Sequence, residues 1–198
     1  MALKKSLFVL IASCVFSGLA NASIAVVLDG TPEFNGTDYT WTYAADLGPN
    51  EGIGFSTPAY FTIYDFVGLD SVISVPSDWT YTVQLTGVTP STLTVPDNPD
   101  VENVTFDYTG QATGGPLSLG DFVITSADGA LNPDGVFAYQ TGFGQITGPL
   151  NSPDDSVDQG SGSVTVPTAL TPEPKLGLLL ALSVGMLGLA ARRRRTAI

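Results

Sequence analysis

Basic residues are missing from most of this chain. The 198-residue sequence has seven lysines and arginines and no histidine, and no basic residue lies between Ser6 and Pro174. This long segment therefore cannot neutralise nucleic-acid phosphates or clamp an anionic ligand with arginine. Without histidine it also lacks a Ser-His-Asp triad and an ordinary zinc site. The sequence thus excludes nucleic acid as a partner and leaves only carboxylates for acid–base chemistry.

The N-terminal residues have the three parts of a secretory signal. A lysine pair precedes the apolar stretch 7–19, and small residues follow at the two positions that a signal peptidase reads, Ala20 and Ala22. We therefore expect residues 1–22 to be a signal peptide and Ser23 to be the first residue of the mature chain.

Cysteine is represented once, by Cys14. The sequence Ile11-Ala12-Ser13-Cys14 loosely matches a lipoprotein signal, so lipidation at Cys14 is an alternative to cleavage after Ala22. The apolar run before Cys14 would then be very short, which favours the Ala22 site. Cleavage there removes the only thiol, and the mature chain then has no disulfide.

The C-terminus is apolar over residues 176–191 and ends in an arginine cluster formed by Arg192, Arg193, Arg194 and Arg195. As a helix the apolar stretch spans about 24 Å, somewhat less than a hydrocarbon core of about 30 Å. The flanking basic side chains can extend to both interfaces. Since arginines favour the cytoplasmic side, we expect a transmembrane helix with the preceding domain outside.

Three residues, Pro172, Glu173 and Pro174, stand just before this apolar segment. Pro-Glu-Pro, a short apolar span and a terminal arginine cluster, together with an N-terminal signal peptide, resemble the PEP-CTERM sorting signal over residues 172–195. The resemblance implies a membrane-embedded exosortase as partner, which cleaves near the motif. It also implies transient anchoring in the inner membrane, followed by transfer to the cell surface or to an extracellular matrix of exopolysaccharide. Lys175 departs from the small or polar residue that is usual in this family.

Between the two signals, residues 23–167 show strand-like alternation. Aromatic and β-branched residues alternate with threonine in Tyr39-Thr40-Trp41-Thr42-Tyr43, and similarly after Trp79 and Val104. We predict strands at 24–28, 39–43, 60–67, 79–86, 104–109, 121–125, 136–139 and 163–166. This pattern predicts an all-β domain, an antiparallel β-sandwich of jelly-roll or immunoglobulin-like type.

Turn-forming sequences separate the predicted strands. They are Gly48-Pro49-Asn50, Pro96 to Pro99, Gly114-Gly115-Pro116 and Asn132-Pro133-Asp134-Gly135. Residues 151–162 are polar and rich in Ser, Gly and Asp, which is typical of a flexible loop or the start of a spacer. Residues 168–171 are predicted to link the domain to the sorting signal.

Acidic residues are abundant, since eighteen of the nineteen lie between residues 23 and 170 and only Glu173 lies beyond. Two groups are weak candidates for a calcium site, because calcium prefers carboxylate ligands. They are Asp97, Asp100 and Glu102 in one predicted loop, and Asp154, Asp155 and Asp158 in another. Neither matches the EF-hand spacing, and simple solvation of surface acids is the favoured interpretation. We expect no other cofactor.

These patterns favour a non-enzymatic surface or matrix protein. One alternative is a carbohydrate-binding module, with or without calcium, in which exposed aromatics stack on sugars. A second is a glycan hydrolase with two catalytic carboxylates. A third is an ice-binding surface formed by Thr40, Thr42, Thr80, Thr82, Thr105 and Thr109. Threonine is a common outward residue of strands, so the ice-binding alternative is the weakest.

Overall fold

The computed structural model describes residues 24–49, 51–55, 57–143 and 157–169. These residues form twelve strands and no helix, which confirms the all-β prediction. The strands are β1 (Ile24–Leu28), β2 (Glu33–Phe34), β3 (Tyr39–Leu47), β4 (Glu51–Ile53), β5 (Tyr60–Ile63), β6 (Leu69–Ser74), β7 (Trp79–Gln84), β8 (Asn103–Tyr108), β9 (Thr113–Gly114), β10 (Leu117–Ser126), β11 (Ala130–Phe143) and β12 (Val157–Thr168). The described residues contain no helix that could span a membrane. The predicted signal peptide and transmembrane helix lie outside them.

The strands form two antiparallel sheets. The first sheet has the order β1-β3-β10-β6, with β2 paired to β3. The second has the order β7-β8-β5-β11-β4-β9, with β12 paired to β11. All eight predicted strands are present, although their ends differ. Sequence analysis missed β2, β4 and β9, which have only two or three residues each, and β6, which contains Asp70 and pairs with β10 through two shifts of register.

An aromatic cluster joins the sheets face to face. Phe122 of the first sheet contacts Phe61, Trp79 and Phe106 of the second, with ring centroids 4.9, 5.2 and 4.7 Å apart. All four rings are buried, and Phe122 meets the other three edge to face, the favoured geometry. The two sheets therefore share one core built largely from aromatic side chains.

The connection between β7 and β8 covers part of the outer face of the second sheet. The carbonyl of Val88 accepts hydrogen bonds from the hydroxyls of Thr62 (2.9 Å) and Tyr64 (2.8 Å). Further along, the backbone N–H of Thr92 donates to the side-chain oxygen of Gln159 in β12 (3.3 Å). This cover explains why polar side chains on the outer face, including Thr62, are buried.

Residues 151–162 were predicted to be a flexible loop or the start of a spacer, and β12 corrects this prediction for residues 157–162. Residues 151–156 lie outside the described residues. Residues 157–162 pair with β11, where Gly160 lies opposite Tyr139 and Gly162 opposite Phe137. Each ring lies where a side chain on the facing glycine would otherwise be. The composition suggested a flexible segment because the sequence does not reveal that these glycines lie under aromatic neighbours.

The predicted breaker at residues 132–135 is also corrected, because it lies inside β11. The register against β12 shifts between Asn132 and Gly135, which face Val166 and Val164. Such a bulge accommodates Pro133, which has no N–H to donate to the ladder.

The predicted inward alternation of the strand after Trp79 is only partly correct. Trp79 is buried, but Tyr81, Val83 and Leu85 are 44%, 38% and 52% exposed. β7 is an edge strand with a single neighbour, β8. Period-two alternation shows which side chains share a face, but burial also requires a covering layer, which an edge strand can lack.

The glycine–aromatic pairs of β11 and β12 generate a prediction. Gly162→Val should destabilise the domain although valine is the better strand former, because a Cβ at this position would lie 2.6 Å from the Phe137 ring. We expect a loss of about 1–3 kcal/mol in the free energy of unfolding, measured by denaturant titration. The matched control is Ser161→Val at the adjacent exposed position, where we expect a change within about 0.5 kcal/mol. Equal stability of the two variants would contradict this interpretation.

Candidate functional site

Most of the functional residues predicted from the sequence lie outside the described residues. This applies to the sorting residues Pro172, Glu173 and Pro174, the arginine cluster Arg192 to Arg195, the cleavage-site residues Ala20, Ala22 and Ser23, and the calcium candidates Asp154 and Asp155. The four calcium candidates that the structure describes are Asp97, Asp100, Glu102 and Asp158.

Asp97 uses both carboxylate oxygens within the protein. Its Oδ2 accepts from the backbone N–H of Gly87 and its Oδ1 from Nδ2 of Asn103, both at 2.9 Å. The buried Asn103 in turn accepts from the backbone N–H of Asp65 at 2.8 Å. Asp97 therefore fastens the β7–β8 connection to the start of β8, which is a structural role.

The other calcium candidates that the structure describes do not join Asp97 in one site. Asp100 and Glu102 are exposed, and the carbonyl of Glu102 accepts from the backbone N–H of Phe66 at 2.8 Å. Asp158 lies in β12, opposite Thr141. In the part of the chain that the structure describes, no three acidic, Cys or His side chains gather as metal ligands would.

Five of the six threonines of the suggested ice-binding face are divided between the two sheets, and the sixth, Thr109, follows the end of β8. Thr40 and Thr42 lie in β3 of the first sheet, whereas Thr80, Thr82 and Thr105 lie in the second. Thr105 is buried, and its hydroxyl forms a 2.9 Å hydrogen bond with that of Thr62. The threonines therefore do not form the single flat array that the sequence suggested.

A polar depression of about 420 Å³ lies against the outer face of the first sheet. It is lined by Asp29, Gly30, Thr31, Glu33, Thr40 and Thr42. Thr40 and Thr42 point outward because they alternate with the buried Trp41 and Tyr43. The lining combines two carboxylates with three hydroxyls, so it can both accept and donate hydrogen bonds.

Sequence analysis missed this depression, which three local features form. The backbone N–H of Asp29 donates to the carbonyl of Thr42 at 2.8 Å, which holds the end of β1 beside β3. Gly30 then reverses the chain with a φ of +80°, a conformation that favours glycine. Glu33 of β2 pairs with Thr40 and closes the other side. The sequence signal that could have indicated this depression is Asp29-Gly30, an acidic residue followed by a turn glycine at the end of a predicted strand.

Exposed aromatic rings do not line this depression. Both tryptophans are buried, and among the described aromatic side chains only Phe34 and Tyr81 are exposed. Phe34 follows Glu33 in β2 and therefore points to the opposite face of the strand. A ligand in the depression would be held by hydrogen bonds rather than by stacking.

Two carboxyl groups have raised pKa values. Burial raises the pKa of Asp107, which lies between Thr80 and Tyr60 across the second sheet. Burial also raises the pKa of Asp65, and the charge of Asp97 adds to this, while a hydrogen bond from Asn98 opposes it. Asp65 contacts Asn103 at the start of β8, and Asp107 lies four residues further along, about 13 Å on an extended strand. The two groups are thus poorly placed to act as a hydrolase pair.

Comparison with known proteins adds no assignment, since no protein-family model, curated protein or solved structure matches this chain.

The raised pKa of Asp107 predicts a pH dependence of stability. At pH values above its ordinary pKa, the folded state holds the proton more tightly than the unfolded state, so the free energy of unfolding decreases as pH rises through this window. We expect the melting temperature to fall as pH rises above the ordinary aspartate pKa of about 4, and to fall less in Asp107→Asn. The control is Asp46→Asn, which removes the same charge from an exposed position. An identical effect of both variants would contradict a specific contribution from Asp107.

Proposed function

We propose that this chain is a non-enzymatic exported protein of the cell surface or exopolysaccharide matrix. A signal peptide directs its export, the C-terminal helix anchors it transiently in the inner membrane, and an exosortase processes it at Pro172, Glu173 and Pro174. The observation that carries this proposal is the order of the C-terminal elements, in which Pro-Glu-Pro is followed by an apolar span and then by an arginine cluster. The same chain has the pattern of a signal peptide at its N-terminus.

The character of the domain supports a role outside the cell. Its many carboxylates face no basic side chain, so the surface is strongly hydrated and repels other acidic molecules, which favours solubility. Its two antiparallel sheets suit the sandwich of jelly-roll or immunoglobulin-like type expected from the sequence. The aromatic core supports this fold without the disulfides that many exported domains use.

The depression on the first sheet favours a second candidate, a carbohydrate-binding module. Sugar hydroxyls donate hydrogen bonds to carboxylates such as Asp29 and Glu33, and they accept from hydroxyls such as Thr31, Thr40 and Thr42. A neutral or amino sugar meets no repulsion there, whereas an acidic sugar would require a bridging cation. This candidate is compatible with the first, because a matrix protein can bind the polysaccharide that surrounds it.

Exosortase processing predicts the fate of Glu173→Ala. The variant should insert normally but accumulate as the anchored precursor, because the motif lies outside the apolar span. The measurement is the ratio of precursor to released product in an exosortase-positive host. Thr196→Ala, beyond the arginine cluster, is the control and should be released like the wild type. Normal release of Glu173→Ala would discard the sorting assignment.

Carbohydrate binding predicts the behaviour of a double variant in the depression. Asp29→Ala with Glu33→Ala should reduce retention of the protein on the host's exopolysaccharide at least tenfold, because both acceptors for sugar hydroxyls are lost. The control, Asp46→Ala with Asp121→Ala, removes the same charge from exposed positions on the same sheet. Wild-type retention of the depression variant, or equal loss in the control, would eliminate this candidate.

A further inference from the structure

Among the described strands, β8 alone pairs with the edge strand β7, so the backbone groups on the other side of β7 have no partner strand among them. The backbone of β8 shows which way these groups point. On the side facing β5, the N–H of Tyr108 donates to the carbonyl of Ala59. On the side facing β7, the N–H of the next residue, Thr109, donates to the carbonyl of Asp78. Backbone N–H and C=O groups alternate between the two sides of a strand, so those of Phe106 and Val104 also point towards β5. Their partners Tyr81 and Val83 therefore direct their N–H and C=O groups away from β8.

The side chains of β7 are exposed on both faces beyond Trp79. Residues 80–86 are all exposed, including the apolar Tyr81, Val83 and Leu85 on one face. This segment has the alternation of a buried strand but no covering layer. An exposed, regular edge of this kind is a template for pairing with another strand.

Charge is also missing from this edge. Residues 79–96 contain no charged side chain, although acidic residues are frequent in the rest of the domain. A second copy of the protein, which repels the first at most of its surface, can approach here without placing carboxylates opposite one another. An uncharged edge on an acidic protein offers no special attraction to a basic partner.

The other long edges of the described sheets carry features that discourage pairing. β6 contains Asp70, and its pairing with β10 is interrupted by two shifts of register. β12 carries Asp158 and glycines at 160 and 162. β1 contacts β12 of the second sheet. Charges and irregular register are the usual means of protecting an edge, and β7 has neither between Trp79 and Gln84.

We propose that β7 pairs with β7 of a second copy, antiparallel and about a two-fold axis at Thr82. This register places Tyr81 opposite the partner's Val83, so their outward backbone groups form two pairs of hydrogen bonds. Apolar side chains then meet on one face, and Thr80 meets the partner's Gln84 on the other. The two second sheets become one continuous sheet across the dimer, an isologous interface. This inference is independent of the sorting and carbohydrate proposals.

The register can be tested with engineered cysteines in full-length protein that carries Cys14→Ser. In the proposed dimer Thr82 of one copy lies directly opposite Thr82 of the other, in a pair without backbone hydrogen bonds. The Cα atoms of such a pair are about 4.5 Å apart, which is within the range for a disulfide. Thr82→Cys should therefore form an intermolecular disulfide on mild oxidation. Thr80→Cys, on the same strand and equally exposed, lies opposite Gln84 and should form several-fold less. Absence of the Thr82→Cys cross-link, or equal cross-linking at both positions, would overturn the proposal.

A second pair of variants tests the edge itself. Adding Val83→Lys to Thr82→Cys should abolish the cross-link, because two lysines then meet near the axis. Val27→Lys, at an exposed apolar position on β1, should leave it intact. If Val83→Lys does not fold, hydrogen exchange of the wild type decides. The amides of Tyr81 and Val83 should become more protected as protein concentration rises, and concentration-independent exchange would contradict the proposal.

Discussion

Uncharged donors hold carboxylates such as those of Asp97 and Glu51, because no basic side chain lies between Ser6 and Pro174 to pair with them. Asp97 receives a backbone N–H and the amide of Asn103. The buried Glu51 receives the hydroxyl of Thr141 at 3.2 Å. In the described parts of the chain, every buried side-chain nitrogen or oxygen has a hydrogen-bond partner. Neutral hydrogen bonds thus satisfy the polar groups, and they leave the repulsion between carboxylates uncompensated.

The same constraint explains where stability comes from and where ligands can bind. With repulsion at the surface and no ion pairs in the domain to offset it, burial of the hydrophobic core, which includes the aromatic cluster around Phe122, must supply the main favourable free energy. The depression beside Asp29 can attract cations or hydrogen-bond neutral polyhydroxy ligands, but not bind anions directly. The uncharged β7 allows two copies to approach without placing carboxylates opposite one another.

Sequence periodicity predicted the all-β class and the approximate positions of eight strands, because aromatic and threonine residues alternate clearly in segments such as Tyr39 to Tyr43. It failed where the determining factor was a contact between distant residues. The glycines of β12 become strand residues only beside the rings of Phe137 and Tyr139. The structural role of Asp97 depends on its hydrogen bonds with Asn103 and Gly87. The turn-forming residues in the sequence do not indicate that these three residues lie close together. The depression combines β1, β2 and β3, whose pairing the alternation does not specify.

The dependence of stability on salt shows whether carboxylate repulsion dominates the electrostatics of this domain. If the domain contains self-repelling carboxylates and no stabilising ion pairs, added sodium chloride can only screen repulsion. The melting temperature of the purified protein at neutral pH should therefore rise steadily from low to moderate salt. A melting temperature that falls over this range would show instead that attractive charge pairs, rather than repulsion, dominate the electrostatics of the fold.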